Sequence, residues 1–193
     1  VKAKPAIPSL IELYRSTLDE HEAQETFLAI GPAALDGLVE SFRGQTASPQ
    51  IIRAIERFGR QAEETIPDLI VSMNDDDPET RQSIANALGS IRRNPTICLP
   101  ALGRLLNDPH VAVRATAAKS IGRFGRAAIS AVPQLRAALS DDFVDVRVAA
   151  ISALWNIGAT DIETQQAVAK RVTDAHPLVQ LVAKEWMEKF GSP

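Results

Sequence analysis

The charged side chains of this sequence are its most regularly spaced. Asp75, Asp108, Asp141 and Asp174 stand 33 residues apart, and Arg81, Arg114 and Arg147 follow the first three at a distance of six. Carboxylates and guanidiniums in such register can bind ions or can bind one another. A second basic set keeps the same interval. Arg60, Arg93 and Arg126 are 33 apart, Arg53 shares a column with Lys119, and Arg57 shares one with Arg123. Taken singly, an arginine near a helix C-terminus complements the helix dipole; as a stripe, the set suits an acidic peptide or a phosphate-bearing partner. The other reactive residues form no catalytic constellation. Asp75-Asp76-Asp77 lacks the Asp/Asn/Gly spacing of a calcium loop. Cys98 precedes an apolar run and reads as a small packing residue. A Ser-His-Asp grouping, a glycine-rich phosphate loop and a dinucleotide fingerprint are all absent. No catalytic residue, metal site or cofactor is expected, and the chain reads as non-enzymatic.

The elements that carry these residues follow from the same period. A fixed interval near 33 means a stack of near-identical units, not one irregular core. Pro67, Pro100 and Pro133 keep it, as do Leu69, Leu102 and Leu135, and as does the apolar series Phe58, Ile91, Phe124, Ile157 and Phe190. Gly59, Gly125, Gly158 and Gly191 come directly after that series, with Arg92 standing in once. Proline is tolerated in the first helical turn, aspartate suits a turn or an N-cap, and glycine is the usual left-handed helix stop. Each unit therefore reads as helix, short turn, helix. In residues 99–125 the first helix is expected over Leu99–Leu106 and the second over Val111–Phe124, where Val113, Ala117, Ile121 and Phe124 share a face. Six pairs are expected, at about 7–31, 35–59, 66–92, 99–125, 132–158 and 162–191, within a single repeat domain spanning 1–193.

With Val113 facing the core, positions 115, 119 and 122 point outward and 123 lies on the flank. Val148 and Leu181 fall in the column of 115, and Trp155 falls in the column of Gly89 and Gly122. Trp155 has two readings, an interface anchor or a cover over the last helix pair. Trp186 shares the column of Ala54, Ala87, Ser120 and Ala153, and reads as a cap where no seventh unit follows.

These residues resemble the HEAT repeat, in the short form found in HEAT-like phycobilisome lyases and related bacterial proteins. The pattern is Pro100, Leu102, Asp108, Val113-Arg114, Ala117-Ala118, Ile121, Gly125, and again Pro133, Leu135, Asp141, Val146-Arg147, Ala149-Ala150, Leu154, Gly158. The units are shorter than full HEAT units of about 40–47 residues. The resemblance implies an all-α, right-handed α-α superhelix, an α-solenoid of about six antiparallel helix pairs. It implies that Asp75, Asp108, Asp141 and Asp174 with Arg81, Arg114 and Arg147 form an internal ladder. It also implies that second helices line a concave face. Partner-binding residues on that face would be Arg53, Arg57, Arg60, Arg93, Lys119, Arg123, Arg126, Val148, Trp155 and Leu181, and the partner a protein or peptide, acidic in character.

Two further functions come with the resemblance. Phycobilisome lyase subunits attach or remove bilins, and HEAT-like alkylpurine DNA glycosylases use a concave basic cleft. A net charge of −3 and 5% aromatic residues weigh against nucleic acid. His21-Glu22 resembles the His-Glu pairs of HEAT-type deoxyhypusine hydroxylases, but His110 and His176 have no following Glu. The chain has no apolar run of about 18 residues and opens on Val1, so it reads as a fragment or processed product. It is expected to be cytoplasmic, and monomeric in isolation.

Overall fold

The computed structural model describes residues 7–16, 20–44 and 48–191. Among the described residues there are twelve α-helices and no strand. The chain divides into two compact units, one ending at Arg93 and the other starting at Asn94. The N-terminal unit holds α1 (Ile7–Ser16), α2 (Glu20–Ile30), α3 (Pro32–Gly44), α4 (Pro49–Arg57), α5 (Ile66–Val71) and α6 (Pro78–Ile91). The C-terminal unit holds α7 (Pro95–Leu105), α8 (Val111–Arg123), α9 (Val132–Ala138), α10 (Val144–Ile157), α11 (Ile162–Ala169) and α12 (Pro177–Phe190). Short 3₁₀ segments, Gly59–Thr65 and Gly125–Ala131, lead into α5 and α9.

Starts and stops follow from local chemistry. Proline occupies the first turn of α4, α5, α6, α7, α9 and α12, where its missing N–H leaves no helical bond unmade. Gly31, Gly59, Gly125 and Gly158 take left-handed φ values of 79°, 52°, 55° and 71° after their helices. Arg92 fills the same role at φ 48°, a conformation that strains a side-chain-bearing residue. Gly191 departs from the expected pattern: its φ is −64°, and α12 ends on an extended residue whose N–H donates to Met187 O at 2.8 Å.

The helix expected at Leu99 starts four residues earlier, at Pro95, so Pro100 lies inside α7. Arg92 and Asn94 are both left-handed and turn the chain straight into a helix. The N–H groups of Ile97 and Cys98 then bond to Asn94 O at 2.9 and 3.0 Å. The 3₁₀ segment used before α5 and α9 is thereby replaced by a longer first helix.

In the C-terminal unit α8 packs against α10, and α10 against α12. Val113, Ala117, Ile121, Val146, Leu154 and Val179 are buried. In the N-terminal unit the ring of Tyr14 meets Phe27 edge-on at 5.4 Å. The Tyr14 hydroxyl donates to Gln50 O and accepts from Gln24 Nε2, both at 3.0 Å. That pair of bonds ties α1 to α2 and α4 around a buried ring whose polar end is satisfied.

Candidate binding face

The turns between paired helices set the register of everything exposed on them. Each periodic aspartate accepts the backbone N–H two residues on: Asp77 to Asp75 at 2.9 Å, His110 to Asp108 at 2.8 Å, Phe143 to Asp141 at 2.9 Å and His176 to Asp174 at 3.0 Å. The residues at the N-caps are therefore Asp77, His110, Phe143 and His176, not the periodic aspartates themselves. The aspartate closes a tight turn that delivers the cap residue, a role its short acceptor side chain suits.

Each periodic arginine folds back on its own turn. Arg81 Nη1 donates to Asp75 O (2.8 Å) and Asp76 O (3.0 Å), Arg114 Nη1 to Asp108 O and Pro109 O (2.8 and 3.2 Å), and Arg147 Nη1 to Asp141 O and Asp142 O (2.8 and 3.0 Å). In the C-terminal unit the same guanidiniums also grip the next turn. Arg114 reaches Asp141 with Nε at 2.7 Å and Nη2 at 3.0 Å, and Arg147 reaches Asp174 with Nε at 3.0 Å and Nη2 at 2.7 Å. Burial opposes ionisation of Asp141 and Asp174, but the guanidinium and backbone N–H bonds outweigh it and hold both carboxyls below the ordinary carboxylate value. At the next step of the period Gln180 replaces arginine. Its Nε2 donates to Asp174 O at 2.7 Å, which satisfies the turn without requiring a carboxylate from a further turn.

With register fixed this way, the second helices α8, α10 and α12 expose matched columns. Lys119, Ser152 and Glu185 form one, and Arg123, Asn156 and Lys189 another, all of them exposed. The column expected outward at 115 and 122 is not uniformly so. Ala115 is buried, as is Gly122, because α8 lies so close to α10 that a Cβ on Gly122 would sit 2.8 Å from the Ala153 Cα. The column opens only towards the last helix pair: Val148 and Trp155 are half-buried, and Leu181 is exposed.

Trp155 lies at the centre of that opening. Its ring meets Phe190 edge-on at 5.3 Å, and Lys189 Nζ sits 4.3 Å from its centroid, a cation–π geometry. A cleft of 250 Å³ runs between α10 and α12 beside it, lined by Ile151, Ser152, Trp155, Asn156, Val182 and Glu185. Trp186 is fully buried and stacks at a tilt on Phe190 at 5.1 Å. The cleft joins an apolar wall to amide, hydroxyl and carboxylate groups, which can seat one apolar side chain and hydrogen-bond the segment carrying it.

A family model described as HEAT repeats matches residues 99–188, the stretch that holds both inter-turn arginine–aspartate grips. Residues 99–188 are thus similar to HEAT repeats. Solved structures with this fold include an engineered protein at 22% identity and TM-score 0.66, with 95% of this chain and 96% of that one covered. A designed armadillo repeat protein in complex with the peptide (KR)4 is 19% identical, TM-score 0.68, over 97% of this chain and 92% of that one. The complex of CpcE and CpcF of phycocyanin lyase, from a Nostoc species, matches at 21% identity and TM-score 0.64 over 80% and 98%. These likenesses show the fold, an all-α solenoid of helix pairs. No curated protein matches it.

The other residues expected to bind a partner fall into two groups. In the N-terminal unit the basic positions are largely paired: Arg53 with Glu79 at 2.9 Å, Arg57 with Glu25, and Arg93 with Glu63 at 2.9 Å. Arg60 is exposed and makes no ion pair among the described residues. In the C-terminal unit Lys119 and Arg126 are likewise exposed without an ion pair among the described residues. The expected basic residues therefore form two sets, one in each unit. Sequence reasoning missed Asn156, Glu185 and Lys189 on this face, although extending the 33-residue columns of Lys119 and Arg123 by one and two further steps would have found all three.

Cys98 is fully buried on α7, so its thiol is withheld from any external ligand. Among the described residues no three histidine, cysteine, aspartate or glutamate side chains converge as a metal site. No helix of the described residues is long and apolar enough to cross a membrane.

Proposed function

We propose that this protein is a non-enzymatic scaffold that holds a protein or peptide partner on the exposed face of α8, α10 and α12. The observation that carries the reading is the cleft beside Trp155, where a half-exposed indole borders an apolar wall on a face otherwise built of exposed charge and amide. An apolar side chain of the partner fills the cleft and buries against Trp155, the residue type most enriched among interface anchors. Lys119 and Arg123 at the α8 end attract an acidic residue and orient the segment. The turn ladder keeps the three helices in register, so the face is preformed and little ordering entropy is lost on binding.

Affinity capture compares the wild type with the Trp155→Ala/Lys119→Glu double variant. Loss of specific captured proteins is expected; retention of all of them would show that the face has been assigned wrongly. The likeness in fold to the CpcE–CpcF complex favours a second reading, in which the partner is another subunit of a chromophore lyase. Incubation with bilin and an apo-phycobiliprotein, with and without a candidate second subunit, tests it; absence of transfer and of bilin absorbance removes it.

A further inference from the structure

A cleft in the N-terminal unit has a character opposite to the Trp155 face. It measures 550 Å³ and lies between α3 and the 3₁₀ segment Gly59–Thr65. Its floor is apolar, formed by the half-buried Leu35 and Val39 over the fully buried Ala62. Its rim carries Asp36, Glu40 and Glu64, all exposed and none ion-paired among the described residues. The one cation lining it, Arg43, is engaged with Asp68 at 2.8 Å and also feels the charge of Glu64, so the carboxylates at the rim still outnumber it.

We propose that this cleft docks a lysine- or arginine-bearing peptide segment. Charge decides the sign of the occupant, because Asp36, Glu40 and Glu64 border the floor with only Arg43, already bound to Asp68, to offset them, and such an excess of carboxylates attracts cations and repels phosphate-bearing chains. Geometry decides its kind. The carboxylates do not converge on a point, as a divalent ion would require. They are spread around a hollow of the size that accepts several side chains. Lysine and arginine match such a surface, since their aliphatic stems lie along apolar walls while the charged ends reach outward. The site lies in a different unit from the Trp155 face and does not rest on that proposal.

Fluorescence anisotropy with a short labelled peptide alternating lysine and glycine tests the assignment, with the same peptide carrying glutamate for lysine as control. Binding of the lysine peptide alone is expected, weakening as salt rises. The Asp36→Asn/Glu40→Gln/Glu64→Gln variant should bind about tenfold more weakly, as expected for three lost charge contacts at the surface. A variant with the same net charge, Asp142→Asn/Asp145→Asn/Glu188→Gln in the C-terminal unit, should bind like wild type. Equal weakening in both variants would mean attraction by overall charge and would overturn the site. A peptide of diaminopropionate, with lysine's charge on a shorter stem, should also bind more weakly; equal affinity would remove the apolar floor from the argument and overturn the proposal. Circular dichroism of the amide variants should match wild type, because the three side chains replaced make no ion pair that holds the fold.

Discussion

Arg147 and Asp174 meet through two parallel hydrogen bonds, Nε to Oδ2 at 3.0 Å and Nη2 to Oδ1 at 2.7 Å, with side-chain exposures of only 10% and 4%. The same guanidinium also bonds Asp141 O and Asp142 O. One side chain thus closes its own turn and fastens the next, which is how adjacent helix pairs keep the register on which the exposed columns depend.

Removing either partner strands the other. Arg147→Ala should lower unfolding free energy in urea by about 3 kcal/mol, because it leaves a nearly buried carboxylate and two turn carbonyls without their donor. The Arg147→Ala/Asp174→Ala pair should cost clearly less than the two single changes added together. Arg147→Lys should restore only part of the loss, since an ammonium cannot make the parallel fork. Additive single effects would mean that the contact contributes nothing to stability.

Acid should weaken the same ladder. Folding lowers the pKa of Asp141 and Asp174, so the unfolded chain binds these protons more tightly. Their contribution is complete above the unfolded value of about 3.9 and is lost as pH falls through that value towards the lower folded ones. Stability measured against pH should therefore drop steeply on the acid side, and Asp141→Asn should flatten that drop while lowering stability near neutrality. A variant whose acid slope equals that of wild type would exclude Asp141 as a source.

The period was legible in sequence wherever the backbone demanded a particular residue. The left-handed stops at Gly59, Gly125 and Gly158, and the closure of each turn by Asp and Arg, need those residue types whatever the unit packs against. Helix ends that depend on a substitute were not legible. Arg92 and Asn94 in left-handed conformations started α7 early, and no composition rule signals that. Exposure was legible only in part. Counting from Val113 assumes one buried face, whereas α8 packs on α7 and also on α10 and so buries a wider arc that includes Ala115 and Gly122. For the candidate face, the columns were readable from spacing, but the cleft exists only because Trp155 of α10 and Val182 of α12 come together from separate helices.

That close approach makes Gly122 a sharp test of the packing. A Cβ there would meet the Ala153 Cα at 2.8 Å and its Cβ at 3.1 Å, and a backbone atom cannot swing aside as a side-chain end can. Gly122→Leu should push α8 from α10 and destabilise the C-terminal unit by about 1–3 kcal/mol, with Gly122→Ala intermediate. Gly103→Ala is the control, since its nearest neighbour is the Gln134 side chain at 4.0 Å; it should be neutral or mildly stabilising, as alanine is the better helix former. Equal effects at the two glycines would contradict the helix spacing.

The two tryptophans, the only ones in the chain, separate an anchor from a cap by spectroscopy. Trp186 is fully buried and Trp155 half-exposed beneath Lys189. In Trp155→Phe the remaining emission should be blue-shifted and resistant to acrylamide, as expected for an indole shielded from water. In Trp186→Phe the emission should come from Trp155, lie further to the red and quench readily. Binding of a partner in the α10–α12 cleft should then shift Trp155 to the blue and protect it, whereas binding elsewhere should leave it unchanged. If Trp155 only covers the last helix pair, its substitution by alanine should lower stability without weakening any captured complex. If it anchors a partner, the order reverses: affinity should fall by about 2 kcal/mol or more, with a smaller change in stability because half of the ring is already in water.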